Sequence, residues 1–249
     1  MKLFAILILG GLIAFPTGTF GECNDPPAPR VDWAGCDKKG ADLPGAILSA
    51  AILTDADLSG ANLEKGFLVS AAMKDVDLTG ANLEKAVLMQ ADLTGAEIRD
   101  ANLKGAFLGG ATLTDANLEG ANLENAFLGS ANLGNANLEN ALLFSANLVM
   151  ASLANANLTG ANLKGANLAY SDLSKANLEI GNLEGADLRG ANLSGATLDD
   201  TFLKGANLES ALLKDSNLIG VTLAEATYNS KTTWPDGFNP KEHGAIRVD

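Results

Sequence analysis

Few side chains in this 249-residue chain could do chemistry, and they are poorly placed for it. There is one histidine, His243, near the C-terminus. Any Ser-His-Asp or Cys-His arrangement would have to use it. It lies outside the regular part of the sequence, after the turn signals Trp234-Pro235, Asp236-Gly237 and Asn239-Pro240. The cysteines are two, Cys23 and Cys36, and they form no Cys/His cluster for zinc. The carboxylates do not follow a calcium-loop pattern, and no glycine stretch reads GxxxxGK[ST]. The 17 Lys and Arg residues are scattered, without the aromatic interleaving of a nucleic-acid binder. The net charge of −13 also disfavours nucleic acid and anionic membrane as direct partners. The expectation is a chain with no catalytic residues, no metal and no cofactor.

The N-terminus reads as an address. Lys2 is followed by an apolar run from Leu3 to Phe15, which is too short to span a bilayer. Pro16 ends it, and Thr19 and Gly21 are small residues suited to a cut after Gly21. Residues 1–21 are therefore expected to be a signal peptide; an uncleaved anchor is the alternative. Glu22 precedes Cys23, which speaks against a lipid attachment there. Cleavage would leave no stable membrane anchor. In an exported chain an even cysteine pair suggests a Cys23–Cys36 disulfide, with two free thiols as the alternative.

What positions everything else is a period of five. Hydrophobic residues make up 47% of the chain but aromatics only 5%, so the apolar content is mostly Ala and Leu. A long helix would not carry 27 glycines. From Ala41 the blocks run ADLPG, AILSA, AILTD, ADLSG, ANLEK, without insertion to VTLAE, which ends at Glu225. The third position is Leu in every block except at Met73 and Ile98. The first is nearly always Ala, and the second is most often Asn or Asp. A five-residue period fits neither an α-helix nor a continuous strand. It fits a chain that turns a corner once per block, with the first and third residues inside.

Tandem A(D/N)LXX blocks over most of the chain resemble the pentapeptide-repeat family. The resemblance implies an all-β fold: a right-handed quadrilateral β-helix, a solenoid with four blocks per coil. The sequence supports that coil independently. Ile47, Phe67, Val87, Phe107 and Phe127 are large apolar residues at the second position, each 20 residues after the last. The repeat then makes about nine coils and, at ~4.8 Å per layer, a rod about 44 Å long. The expected organisation is a signal peptide over 1–21, an N-terminal cap over 22–40, the β-helix over 41–228 and a C-terminal capping tail over 229–249. Trp33 belongs to the first cap. Trp234 and Phe238 belong to the second, which resembles the short aromatic tails that close many family members.

Sorting the outward second, fourth and fifth positions by side, with Ala41 opening the first face, separates the four faces. The second face carries no charge through seven coils. Its slots hold Ile47, Phe67, Val69, Val87, Met89, Phe107, Phe127, Val149, Met150 and Tyr170, with Leu142 and Phe144 on the adjoining edge of the first face. Such a strip suggests docking of a protein partner or a second copy. The alternatives are cover by a chain terminus, or scatter. The fourth face is acidic, with Asp57, Asp77, Glu97, Asp100, Glu119, Glu139, Glu179, Asp199 and Asp200 against the single Arg99. It reads either as a solvated face or as a site for cations or a basic partner. The first-face column Asn62, Asn82, Asn102 and Asn122 suggests amide ladders.

Taken together, these features point to a non-catalytic, exported structural or interaction scaffold whose partner is an unknown protein or a homodimer. The resemblance implies one alternative, because some family members are acidic DNA mimics that bind type II topoisomerases. It also implies the destinations open to an exported member: the periplasm or, in a cyanobacterium, the thylakoid lumen.

Overall fold

The computed structural model describes residues 22–249; the expected signal peptide lies outside the described residues. The fold can be read from the amides of one block, Ala101 to Gly105. The Asn102 amide donates to Ala81 O (2.9 Å) in the coil before, and Leu103 and Gly105 donate to Asn122 O (2.7 Å) and Glu124 O (2.8 Å) in the coil after. Ala106 N closes a turn on Leu103 O (2.9 Å). That leaves the fourth amide, Lys104 N, which donates to the Asn102 side-chain oxygen at 3.2 Å. Every backbone donor in the block is satisfied, the last by the second-position side chain acting as an Asx turn.

The turn dictates the fifth residue. Its φ is positive, which a type II turn requires at its third residue. Glycine fills it without strain, as at Gly105 (φ 64°). Asn, Asp, Ser and Lys also appear there, and so do Met150, Tyr170 and the β-branched Ile180 (φ 52°). Each block then meets the block 20 residues on in a single parallel bridge, from Asp32↔Ile52 to Asn207↔Thr227. Four blocks per coil follow directly. The chain is a right-handed quadrilateral β-helix of about ten coils at ~4.8 Å each.

First-position Ala and third-position Leu are buried along the axis almost without exception. Where the first position is polar, its hydroxyl is used. Ser171 and Ser216 donate to Leu168 O and Leu213 O (both 2.7 Å), and Thr201 donates to Leu178 O at 2.8 Å.

The ends differ from the sequence expectation. The ladder begins at Asp32, so residues 31–40 are coil rather than cap. A rung needs the turn geometry more than it needs leucine, and Gly35 (φ 65°) and Gly40 (φ 62°) supply that geometry. Trp33 is buried at the axis, and its indole donates to Asp25 O at 3.2 Å. Lys38, in a leucine position, sits 4.0 Å over the Trp33 ring and donates to Cys23 O at 2.6 Å. Cys23 and Cys36 form a disulfide (Cα–Cα 5.4 Å) that ties this end down.

At the other end the tail makes one further turn. Strand β1 (Thr227–Tyr228) pairs in parallel with β2 (Ile246–Arg247). Between them Thr233 bridges Leu212, a spacing of 21 rather than 20. The extra residue is absorbed at Asn229, whose side chain accepts from Ser210 N and Lys231 N, and at Thr232, which donates to Leu208 O. Trp234 packs edge-on to Tyr228 (5.6 Å) and stacks on Phe238 (5.3 Å), and both pack against the core. Among the described residues no helix is long and apolar enough to cross a membrane.

Candidate interaction surfaces

The backbone ladder places the second-face residues in columns. Ile47, Phe67, Val87, Phe107 and Phe127 are bridged one to the next, so their side chains stand in one row along the rod. Phe107 and Phe127 stack with centroids 5.0 Å apart and planes 3° from parallel. The row ends at Asn147 and Asn167, and the apolar groups pass to the fifth-position corner at Met150 and Tyr170. These side chains are open to solvent: Ile47, Phe67 and Phe127 are about half exposed, Met150 is 62% exposed and Tyr170 64%. No described residue covers the strip. The C-terminal tail lies over the end of the core, and residues 22–30 lie at the opposite end.

The five apolar residues also give up a bond. On the same face Asn147 and Asn167 accept from Val149 N and Ala169 N (both 3.1 Å). Phe107 has no oxygen to offer the Gly109 amide. The row therefore departs from what the scaffold itself favours.

The fourth face uses its polar groups in the opposite way. Asp57 accepts from both Ser59 N and Ser59 Oγ, and these bonds hold its carboxyl below the usual range. Asp77 accepts from Thr79 N (2.8 Å), and Glu97 accepts from Asn117 (3.0 Å) and pairs with Arg99 (3.3 Å). The column then changes to Asn117, Asn137, Asn157 and Asn177: side-chain amides hydrogen-bond from Asn137 to Asn117 (3.1 Å) and from Asn157 to Asn137 (3.0 Å), and Asn177 donates to Thr159 Oγ1 (2.8 Å). Asp100 and Asp200 lean over Gly120 and Gly220, into space a Cβ would need. A shallow hollow of about 300 Å³ is lined by Arg99, Asp100, Glu119, Gly120 and Asn140. Glu139 accepts from Asn157 at 3.4 Å. Glu179 is exposed, and Asp199 accepts from Asn217 at 2.9 Å. No group of acids, cysteines or histidine fit to hold a metal occurs among the described residues.

The first-face ladder runs Asn102 to Asn82 (3.1 Å), Asn82 to Asn62 (3.3 Å) and Asn62 to Asp42 (2.8 Å). Asn122 spends its oxygen on Glu124 N. His243 stacks on Phe238 at 4.6 Å, beside a cleft between the tail and Ile219 at the C-terminal end of the fourth face. One feature was not singled out in the sequence. Phe202 is half exposed on the first face, where it forms a hollow of about 610 Å³ with Asn182, Glu184, Lys204, Thr222 and Ala224. The signal for it was present: a large apolar residue in an Asn/Asp slot.

Comparison with known proteins agrees with this architecture. The family model for pentapeptide repeats matches in eight copies, over residues 34–67, 71–110, 99–129, 128–160, 146–185 and 182–215. HetL, a pentapeptide repeat protein involved in heterocyst differentiation regulation from the cyanobacterium Nostoc, is 33% identical over 84% of this chain and 90% of its own (TM-score 0.45). A second Nostoc pentapeptide repeat protein, alr5209, is 41% identical over 41% of this chain and 84% of its own (TM-score 0.41). QnrB1, a plasmid-mediated fluoroquinolone resistance protein, shares the fold at 18% identity, over 70% of this chain and 91% of its own (TM-score 0.58). No protein of curated function matches. With five-residue phase, square coils and a family match over most of its length, the chain belongs to the pentapeptide repeat family.

Proposed function

We propose that this protein is a non-catalytic, exported scaffold that binds another protein through its second face. One observation carries the reading. Five consecutive rungs, Ile47 to Phe127, replace the side chain that bonds the backbone with an apolar one, exposed at all but the half-buried Val87. The fold gains no turn bond from them, and an exposed apolar row of this length is what a binding surface requires. Export rests on the leader-like residues 2–21 and on the Cys23–Cys36 disulfide, a bond that persists outside the reducing cytosol. The acidic-mimic assignment is weaker. The acids at the second position of the fourth face number four, Asp37, Asp57, Asp77 and Glu97, before asparagine takes over. Three of these are bonded into turns.

The test is affinity capture from the exported fraction with the wild-type chain and with Phe107→Asp. Asp is a residue the repeat itself uses at that position, so the variant keeps the fold. A partner held by the wild type and released by the variant is the expected result. Identical bound sets would remove the second face from the function.

A further inference from the structure

The partner of the second face can be named from the order of residues along it; this rests on the docking role proposed above. We infer that the strip binds a second copy of this chain, antiparallel, about a two-fold axis passing beside Phe107.

The register is set by charge. The charge-free strip is seven coils long, bounded by Arg30 before the first and by Asp187 and Arg189 after the seventh. In a chain of net charge −13, two copies meet without burying like charges only if strip lies on strip. A two-fold perpendicular to the rods and in the plane of contact then pairs the first coil with the seventh, the second with the sixth and the third with the fifth. The fourth coil, that of Phe107, meets itself.

This pairing sets the bulkiest groups of one copy against smaller ones of the other, while Val69 meets Val149 and Val87 meets Phe127. Tyr170 opposes Ala50, Met150 opposes Ser70, Met89 opposes Gly129, and Phe67 opposes Asn147. At the centre Phe107 meets its own copy, beside Gly109 and Gly110. The bulky residues sit in the second-position column at one end of the strip and in the fifth-position column at the other. An antiparallel two-fold turns that asymmetry into complementarity. A parallel pair would set second position against fifth in every coil, with Phe107 over Gly110, and would lose the aromatic contact of Phe107 with its own copy.

The edge also fits. The first-face corner beside the strip carries Glu64, Lys65, Glu84, Lys85, Lys104, Glu124 and Lys164, three acids and four bases. Antiparallel pairing brings Lys85 of one copy level with Glu124 of the other. The strip is about 34 Å long from its ~4.8 Å layers. Its area is at the small end of specific interfaces, so the association should be reversible and concentration-dependent.

The experiment is sedimentation over a range of concentrations, on chain recovered after export. Four variants are compared with the wild type: Phe107→Asp, Ser70→Glu, Met150→Lys, and Ser70→Glu with Met150→Lys in one chain. Residues 70 and 150 are exposed. The backbone at the fifth position accepts the new residues, since Lys65 (φ 55°) and Glu225 (φ 63°) already occupy it. The wild type should dimerise and Phe107→Asp should not. Each single charge should weaken the dimer about tenfold, and the double variant should regain it. Three outcomes overturn the inference. A dimer indifferent to Phe107→Asp lies elsewhere. A dimer lost in Phe107→Asp but not regained by the double variant has another register. A wild type monomeric at every concentration has no self-association, and the scaffold reading then stands or falls on its own capture experiment.

Discussion

The second and fourth faces are made by blocks of the same pattern over the same column of leucine, and they part most clearly in what they do with the second position. On the fourth face Asn137 accepts from Glu139 N, donates to Asn117 and accepts from Asn157. Its side chain closes a turn and joins three coils. Phe107, in the equivalent slot of the second face, closes no turn and links to one neighbour by ring stacking. A repeat protein with every outward slot free to vary would be expected to keep asparagine wherever nothing else is asked of it. The fourth face therefore shows what the solenoid needs, and the second face shows a departure from it. That difference is the observation on which the proposed docking role rests.

The comparison holds only if the two faces share one core, and this gives the largest expected effect. Leu108 lies under the second face and Leu118 under the fourth, both fully buried. Truncation of either to alanine should cost about 2–5 kcal/mol. The two losses in denaturant unfolding should agree within about 0.5 kcal/mol. A much larger loss at Leu108 would mean that the second face is structural, and that its exposed row is part of the core's support.

Much of this was legible before any coordinates. The unbroken phase from Ala41 to Glu225 points to the solenoid, and the recurrence from Ile47 to Phe127 points to four blocks per coil, because coils of three or five blocks would scatter those residues over several faces. The charge-free face followed from the same bookkeeping. The boundary at 41 did not. It was drawn from consensus side chains, whereas residues 31–40 enter the ladder on glycine turns, with Trp33 and Lys38 where leucine is usual. The tail stood out in the sequence by its aromatics, Tyr228, Trp234 and Phe238. Its return to pair Ile246 with Thr227, after a one-residue slip at Asn229, depends on contacts between distant residues that no local pattern records. The amide ladders were foreseen on the first face but run on the fourth as well. The turn role of the second-position oxygen, which gives the two faces their meaning, came only from following the amides.

An exchange of the two faces' residues tests the central claim at a smaller energy. Asn137→Phe removes a turn acceptor and two ladder bonds, and at about 0.5–1.5 kcal/mol per bond it should destabilise by about 1.5–4.5 kcal/mol. The reverse change, Phe107→Asn with Phe127→Asn, loses a stacked pair worth about 0.5–1.5 kcal/mol and some burial, and gains two turn bonds and a ladder bond. Its unfolding free energy should stay within about 1 kcal/mol of wild type, while self-association falls to the level of Phe107→Asp. If this double variant unfolded instead, the aromatic row would belong to the scaffold and the contrast between the faces would fail.

The smallest effect concerns the fifth position, where both faces carry residues the turn disfavours. Ile180 on the fourth face (φ 52°) and Met150 on the second (φ 59°) hold positive φ where glycine is the easy choice. Left-handed backbone costs an ordinary residue about 1–2 kcal/mol, and part of that is regained by the greater freedom of glycine in the unfolded chain. Ile180→Gly and Met150→Gly should each therefore stabilise the rod, by about 0.5–1 kcal/mol. Ile180→Gly should do so with the dimer unchanged, because its corner lies away from the strip. Met150→Gly should raise the melting temperature and weaken association in the same preparation. A strained residue that stabilises nothing within its own chain, and whose removal loosens a contact with another, has its purpose in that contact. If both variants gained stability and neither affected association, Met150 would be an accident of the repeat like Ile180, and the strip would narrow to the row from Ile47 to Phe127.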